Sequence, residues 1–285
     1  MADRDPMRIL VVKAHPHDFT HVAGTCGIHA SRGDSITVVS MTAGTGTHNE
    51  KLHDELMKPE AERDPAVLNQ TAADYAEAKE TEFRQVCGLF GVEDARILNF
   101  PDKPFQNTPE AVAALREIIL EVRPHMLMTQ SPYLAGRHGM PRGGRDDHTE
   151  TAFAIQEAQA LAGTADYERQ DRPHTIAATY YPGVYFMPDE IDFYVDISEW
   201  RDQRIQAEIL FASQGHTEAF ARRRIEVSSG NMGWFSGTEY AEGWVRATPE
   251  VLPEIRVPED ALRRASEPRE NHMKRIAGEL EKEQS

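Results

Sequence analysis

The chain has little of what marks several common protein classes. Only two cysteines, Cys26 and Cys87, occur in 285 residues, too few for a disulfide-stapled scaffold or a cysteine-rich metal module. Both fall in helical patterns, so two buried thiols are the expectation rather than a bridge. No apolar run approaches the ~20 residues of a membrane span, and no charged-then-apolar leader opens the sequence. A soluble, reduced, cytoplasmic protein is expected. Basic residues are outnumbered, with 31 Lys and Arg against 47 Asp and Glu, for a net charge of -16. This balance argues against nucleic acid or an anionic membrane as partner and leaves a small molecule as the expected one, homo-oligomerisation remaining open. Internal repeats and low-complexity segments are also absent.

What is present is enough apolar residue, 40%, for one substantial core. One domain over 1–285 is expected, its core at about 8–245 and a charged, proline-punctuated extension over 249–285 forming a surface helix with a frayed end. Apolar runs predict strands at 9–12, 35–41, 96–100, 125–129, 176–181 and 193–196. Helices are predicted at 20–31, 71–90, 108–122, 148–161, 198–212 and 217–227. The helix at 108 is launched by Thr108 as N-cap, Pro109 in the first turn and Glu110 beside the helix dipole. Residues 42–70 read as a long loop with at most one short helix. Strands alternating with helices make an α/β fold, a three-layer Rossmann-like arrangement with a mostly parallel sheet and helices on both faces. Such sheets bind ligands beyond the carboxyl ends of their strands.

Chemistry concentrates at the end of the first strand. There His15 and Asp18 offer an imidazole and a carboxylate three positions apart, and His17 adds a further ligand or a base. The plain alternative is a strand-to-helix turn capped by Asp18. Asp147 and His148 stand past another predicted strand and could complete a metal site with an open position. Zinc suits these donors best, with Fe2+ or another divalent ion also compatible. A barrel amidohydrolase needs more regular strand-helix units than the chain supplies, and the facial-triad iron sites usually occupy antiparallel barrels. Arg137, His138, Arg142 and Arg145 crowd the loop before His148 and suggest an anionic or hydroxyl-rich substrate, with surface ion pairs as the competing reading. His48, Glu50 and His53 in the 42–70 segment could face substrate or solvent. Gly44-Thr45-Gly46 lacks the third glycine of a dinucleotide fingerprint.

Ala14-His15-Pro16-His17-Asp18 resembles the Ala-His-Pro-Asp-Asp-Glu signature of the LmbE-like, or PIG-L, zinc-dependent deacetylases. Further matches fall in the family's order: Ala23-Gly24-Thr25, Arg32-Gly33, Val38-Val39, Gly44, Asp147-His148, Val195-Asp196-Ile197, Ala212-Ser213-Gln214 and Tyr240-Ala241-Glu242, so the likeness spans roughly residues 8–245. The resemblance implies a Rossmann-like three-layer fold and hydrolysis of an acetyl group from an N-acylated, sugar-like substrate by a metal-activated water. It also implies His15, Asp18 and His148 as zinc ligands. Three positions depart from the pattern. The family's general-base aspartate is His17, its glutamate is Phe19, and the histidine credited with oxyanion support is Arg145.

A neutral histidine can still deprotonate an activated water, and an arginine can hold an oxyanion. His17 is therefore the expected base, Arg145 the oxyanion partner and Asp147 a residue that orients a neighbour, with Arg142, Arg137, His138 and His48 as substrate contacts. Asp18-Phe19, Gln214-Gly215-His216 and Glu242-Gly243 resemble instead the family's 4-oxalomesaconate hydratase branch, which implies a hydro-lyase acting on an unsaturated polycarboxylate. A non-catalytic ligand-binding homologue is the third reading.

Overall fold

The protein is described by a computed structural model covering residues 4–46, 48–102, 104–133 and 145–280. Among these residues, β1 (Arg8–Lys13), β2 (Ser35–Ser40), β3 (Asp94–Ile97), β4 (Met126–Thr129), β5 (Ala178–Pro182), β6 (Phe193–Asp196) and β7 (Ala241–Arg246) form one sheet in the order β3-β2-β1-β4-β5-β7-β6. The first five run parallel, and β7 pairs antiparallel with both β5 and β6. The expected mostly parallel α/β sheet is therefore present, with one strand, β7, that the sequence reading did not contain.

The two faces of β1 explain the layering. Ile9 and Val11 point into one core with Phe19, Cys26, Phe83, Val86, Phe90 and Phe211, contributed by the turn after β1 and by α1 (Ala23–Ser31), α4 (Ala72–Leu89) and the end of α7 (Arg201–Leu210). Leu10 and Val12 point into the other, against Leu115 and Ile119 of α5 (Pro109–Val122) and Ala154, Ile155 and Ala158 of α6 (Asp147–Ala162). A strand buried on both faces must read as a continuous apolar run, as Ile-Leu-Val-Val does. Cys26 and Cys87 are buried free thiols.

Several boundaries differ from the sequence expectation. Residues 42–70 hold α2 (Glu50–Met57) and α3 (Pro65–Leu68), capped by Asn49 and Asp64, because short side-chain caps replace the long apolar period that the sequence lacks there. The predicted helix at 20–31 is split into a 3-10 turn, Pro16–His21, and α1. Beyond α8 (Glu218–Ile225), the backbone passes through a π-helical turn, Glu226–Gly230, into α9 (Asn231–Ser236). The C-terminal extension carries two helices, α10 (Glu259–Ser266) and α11 (Arg269–Ile276). None of the helices among the described residues is long and apolar enough to cross a membrane.

The strand order fixes where a ligand can enter. From β1 the chain proceeds to β2 and β3 on one side, whereas β4 and β5 extend the sheet on the other. The loops leaving the carboxyl ends of β1 and β4 therefore diverge and leave a crevice between them, the topological switch point at which open α/β sheets bind ligands.

Candidate metal centre

Asp18 is the hub of this crevice. The 3-10 turn Pro16–His21 returns its carboxylate to the strand end, where Oδ2 accepts the backbone N–H of His15 at 3.0 Å and the side-chain amide of Gln130, just past β4, at 2.9 Å. His15 Nδ1 lies 3.5 Å from Oδ2, and His148 Nε2, in the first turn of α6, lies 3.4 Å from Oδ1. One donor atom from each of His15, Asp18 and His148 falls within 4.8 Å of the others. Two imidazoles and a carboxylate at these separations match three corners of a tetrahedral site whose bonds are about 2.0–2.2 Å long, so the donor set fits a divalent metal ion.

The charges agree with a site built for a cation. Burial alone would favour the uncharged forms, yet the Asp147 and Asp18 hydrogen bonds raise His15 to about 9. In His148, burial is likewise outweighed by the charge of Asp18 and by hydrogen bonds to Asp146 and Asp18, which raise it to about 10. Against its own burial, Asp18 is held well below the usual carboxylate range by the two histidines.

Asp147 touches the site through His15. Its Oδ2 is 3.1 Å from His15 Nε2 and its Oδ1 accepts the Phe105 N–H at 3.0 Å, the carboxylate–histidine arrangement that fixes the orientation of a ligating imidazole. His48 stands against the cluster, its ring centre 4.7 Å from that of His15. Gly44 permits this approach: at φ 71° it turns the chain so that His48 and His15 pass its open side. Burial, then the charge on His15, lowers His48 to about 4.

Two expected residues are engaged by other side chains. His17 Nε2 is 2.8 Å from Glu208 Oε2, and its ring packs on Phe211 and His216, so the imidazole belongs to a different group from His15, Asp18 and His148. Arg145 is exposed, hydrogen-bonded to Glu150 at 2.9 Å and lying 4.8 Å over the Phe153 ring. Glu150, in the first turn of α6, holds its guanidinium. Arg137, His138 and Arg142 lie outside the described residues.

The structure adds residues that sequence reasoning missed, and it brings in Tyr185, which the sequence alone reads as strand-end core or a pocket wall. Lys13, a single charge ending an apolar strand, is fully buried, and burial lowers it to about 8. Tyr185 stands 5.9 Å from the His148 ring and 6.0 Å from that of His21. Beyond His21 lies a cavity of about 260 Å³ bordered by Arg204, Arg224, Ser228 and Glu242. Lys13 carried a signal, since lysine in a two-sided buried strand is anomalous. His21 and Arg204 carried none, because their partners are far away in sequence.

Residues 10–159 match the family described as PIG-L: GlcNAc-PI de-N-acetylase. The chain belongs to this family. Curated relatives include the 1D-myo-inositol 2-acetamido-2-deoxy-alpha-D-glucopyranoside deacetylase of Streptomyces griseus, 31% identical over 192 residues, covering 64% of this chain and 57% of the relative. An enzyme of the same name from Catenulispora acidiphila, numbered 2, is 29% identical over 206 residues, covering 64% of this chain and 62% of the relative. The chain thus spans about 60% of the length of these relatives. Among solved structures, the 4-carboxy-2-hydroxymuconate hydratase of Pseudomonas putida superposes with a TM-score of 0.66 at 22% identity, covering 88% of this chain and all (100%) of that one. The N,N'-diacetylchitobiose deacetylase of Pyrococcus horikoshii gives 0.64 at 19% identity, covering 85% and 84%. These two likenesses establish the shared fold.

Proposed function

We propose that this PIG-L family member is a zinc-dependent hydrolase that removes an acetyl group from an N-acetylated sugar-like substrate, with His15, Asp18 and His148 holding the metal. The observation that carries the reading is the Asp18 carboxylate set between His15 and His148 at the mouth of the β1/β4 crevice. The names of the curated relatives support an acetamido sugar joined to inositol as the first substrate to try. Zinc, when bound, supplies Lewis-acid polarisation of an amide carbonyl and activation of a water.

The chain's own groups do the rest. Asp147 acts as a positioning residue that aims His15. His48, neutral at pH 7 and with its ring centre 4.7 Å from that of His15, is assigned the base role first expected of His17. Tyr185, which burial keeps protonated, is a hydrogen-bond donor beside His148 for charge developing on the carbonyl oxygen. The test is release of acetate and free amine from N-acetylglucosaminyl-inositol by the zinc-loaded full chain. His48→Gln is expected to lower kcat about 10²–10⁴-fold with zinc still bound. No acetate release by the zinc-loaded protein refutes the reading.

One observation favours the hydro-lyase as a second reading. Arg204 is buried at the wall of the cavity beyond His21, where its Nε stands 3.7 Å from Glu242 Oε1 and its Nη1 makes no hydrogen bond among the described residues. A substrate carboxylate would satisfy Nη1. Loss of absorbance from a conjugated unsaturated polycarboxylate, without amine release, supports this alternative.

A further inference from the structure

A second group of donors meets beside the same turn that carries Asp18. Glu208, on α7 and with a side chain 0% exposed, directs Oε1 to Arg224 Nε at 3.3 Å. Its other oxygen, Oε2, receives two imidazoles: His17 Nε2 at 2.8 Å and His216 Nδ1 at 3.3 Å. One donor atom from each of the three lies within 4.8 Å of the other two. His216 Nδ1 also lies 3.2 Å from the Glu208 carbonyl oxygen.

From this geometry we infer a second divalent-metal site, formed by His17, Glu208 and His216, that shares no donor with His15, Asp18 and His148. The two sites divide the His-Pro-His-Asp turn between them, His15 and Asp18 serving one and His17 the other. Two nitrogens and one oxygen are a borderline donor set suited to Zn2+, Co2+ or Ni2+. In a tetrahedral site with bonds of about 2.1 Å, neighbouring donors stand about 3.4 Å apart. The Glu208–His216 pair, at 3.3 Å, is already near that spacing, and the Glu208–His17 pair, at 2.8 Å, needs an opening of about 0.6 Å.

Packing holds the donors in place, as a built site requires. The His17 ring stands edge-on to Phe211 at 5.1 Å and to His216 at 5.0 Å, and His216 also packs on Phe220 at 4.9 Å. The segment leading to His216 is tied to α4, since Lys79 donates to Gln214 at 2.7 Å and Ser213 bonds twice to Glu82. Gly215, at φ 75°, then turns the chain to deliver His216. As the structure stands, two imidazoles share one carboxylate oxygen. A divalent ion would meet all three donors at once and balance a carboxylate that Arg224 engages through its other oxygen only.

The experiment strips the full chain with chelator, titrates it with Co2+ or Zn2+ alone, and counts bound metal by elemental analysis after gel filtration. Wild type is expected to hold about two equivalents, His216→Gln about one and His148→Ala about one. His216→Gln is preferred over a Glu208 variant because it leaves the Glu208–Arg224 pair in place. A His216→Gln protein that holds as much metal as wild type overturns the proposal. As an independent readout, Zn2+ should still raise the melting temperature of His148→Ala, and the absence of any rise likewise overturns it. Undiminished metal content in His148→Ala with loss in His216→Gln instead refutes the first site and leaves the second standing.

Discussion

His15 Nε2 and Asp147 Oδ2 lie 3.1 Å apart although 132 positions separate them in the chain, so the end of β1 and the first turn of α6 are locked together at the candidate metal centre. Asp147 also accepts the Phe105 N–H through its other oxygen. Replacing it by alanine frees the His15 ring and leaves that N–H without its acceptor. We expect Asp147→Ala to weaken metal binding about 10–100-fold and to cost about 1–3 kcal/mol of stability. Asp147→Asn keeps one acceptor oxygen for two donors and should fall between. Chelator competition measures the affinity, and an unchanged value in Asp147→Ala refutes the positioning role.

Metal uptake should depend steeply on pH. Without metal, His15 at about 9 and His148 at about 10 are both protonated at neutrality, so binding must expel about two protons. Apparent affinity then rises about 100-fold per pH unit below pH 9. Calorimetry in buffers of different ionisation enthalpy counts those protons, and a count of zero contradicts the arrangement. Linkage has the opposite sign for the metal-free fold. Histidines raised above their unfolded value of about 6.5 stabilise the protein fully below that pH. That contribution is lost as pH climbs through about 9 to 10, so the metal-free protein should melt earlier at high pH.

The parts of this molecule that were legible in the sequence share a physical reason. β1 is buried on both faces and reads as unbroken apolar residues, and Thr108-Pro109-Glu110 carries its cap in adjacent positions. β7 was illegible because Ala-Glu-Gly-Trp-Val-Arg interrupts its pattern with Glu242 and Gly243. Both have tertiary causes. Glu242 turns inward to accept the Gly24 and Thr25 N–H groups at the start of α1, and Gly243 closes against Ile191 and Met232. At the site, donor types at strand ends brought forward His15, Asp18 and His148. The partner that draws His17 away could not be read, since Glu208 looks like an ordinary helix-surface residue and stands 191 positions distant. Arg145 illustrates the converse: its charge was legible, but not that Glu150 would take it.

Asp34 anchors the amino-terminal segment. Its buried carboxylate accepts from Arg4 Nη1 at 2.8 Å, the Met7 N–H at 2.8 Å and His29 Nδ1 at 2.7 Å. Burial would raise its pKa, but the bonds from Arg4, Met7 and His29 depress it well below the usual carboxylate range. A depressed carboxylate contributes stability above its unfolded pKa of about 3.9 and loses it as pH falls toward the folded value. Asp34→Asn should therefore destabilise the protein by about 1–2 kcal/mol at pH 7, and the gap should narrow on acidification below about pH 4. Urea midpoints at pH 7 and pH 3 test this, and a gap that widens in acid refutes the linkage.

Gly233, in α9, is the position where one added methyl should do most damage. A Cβ there would lie 2.3 Å from the Glu239 carbonyl oxygen and 2.6 Å from its carbon, both backbone atoms that cannot rotate away. The contact exists because α9 ends in a tight return: the Thr238 N–H and the Ser236 hydroxyl both donate to the Gly233 carbonyl, and Gly237 reverses the chain at φ 72°. This return leads directly into β7, whose Glu242 carries the start of α1. Gly233→Ala must push α9 away from the 236–239 turn, and overpacking of this kind costs about 1–3 kcal/mol or more. The effect should reach the crevice through β7 and α1, so metal affinity should fall along with the urea midpoint. A variant within about 0.5 kcal/mol of wild type, the range of a neutral surface change, would show that the turn yields freely and that β7 does not depend on it.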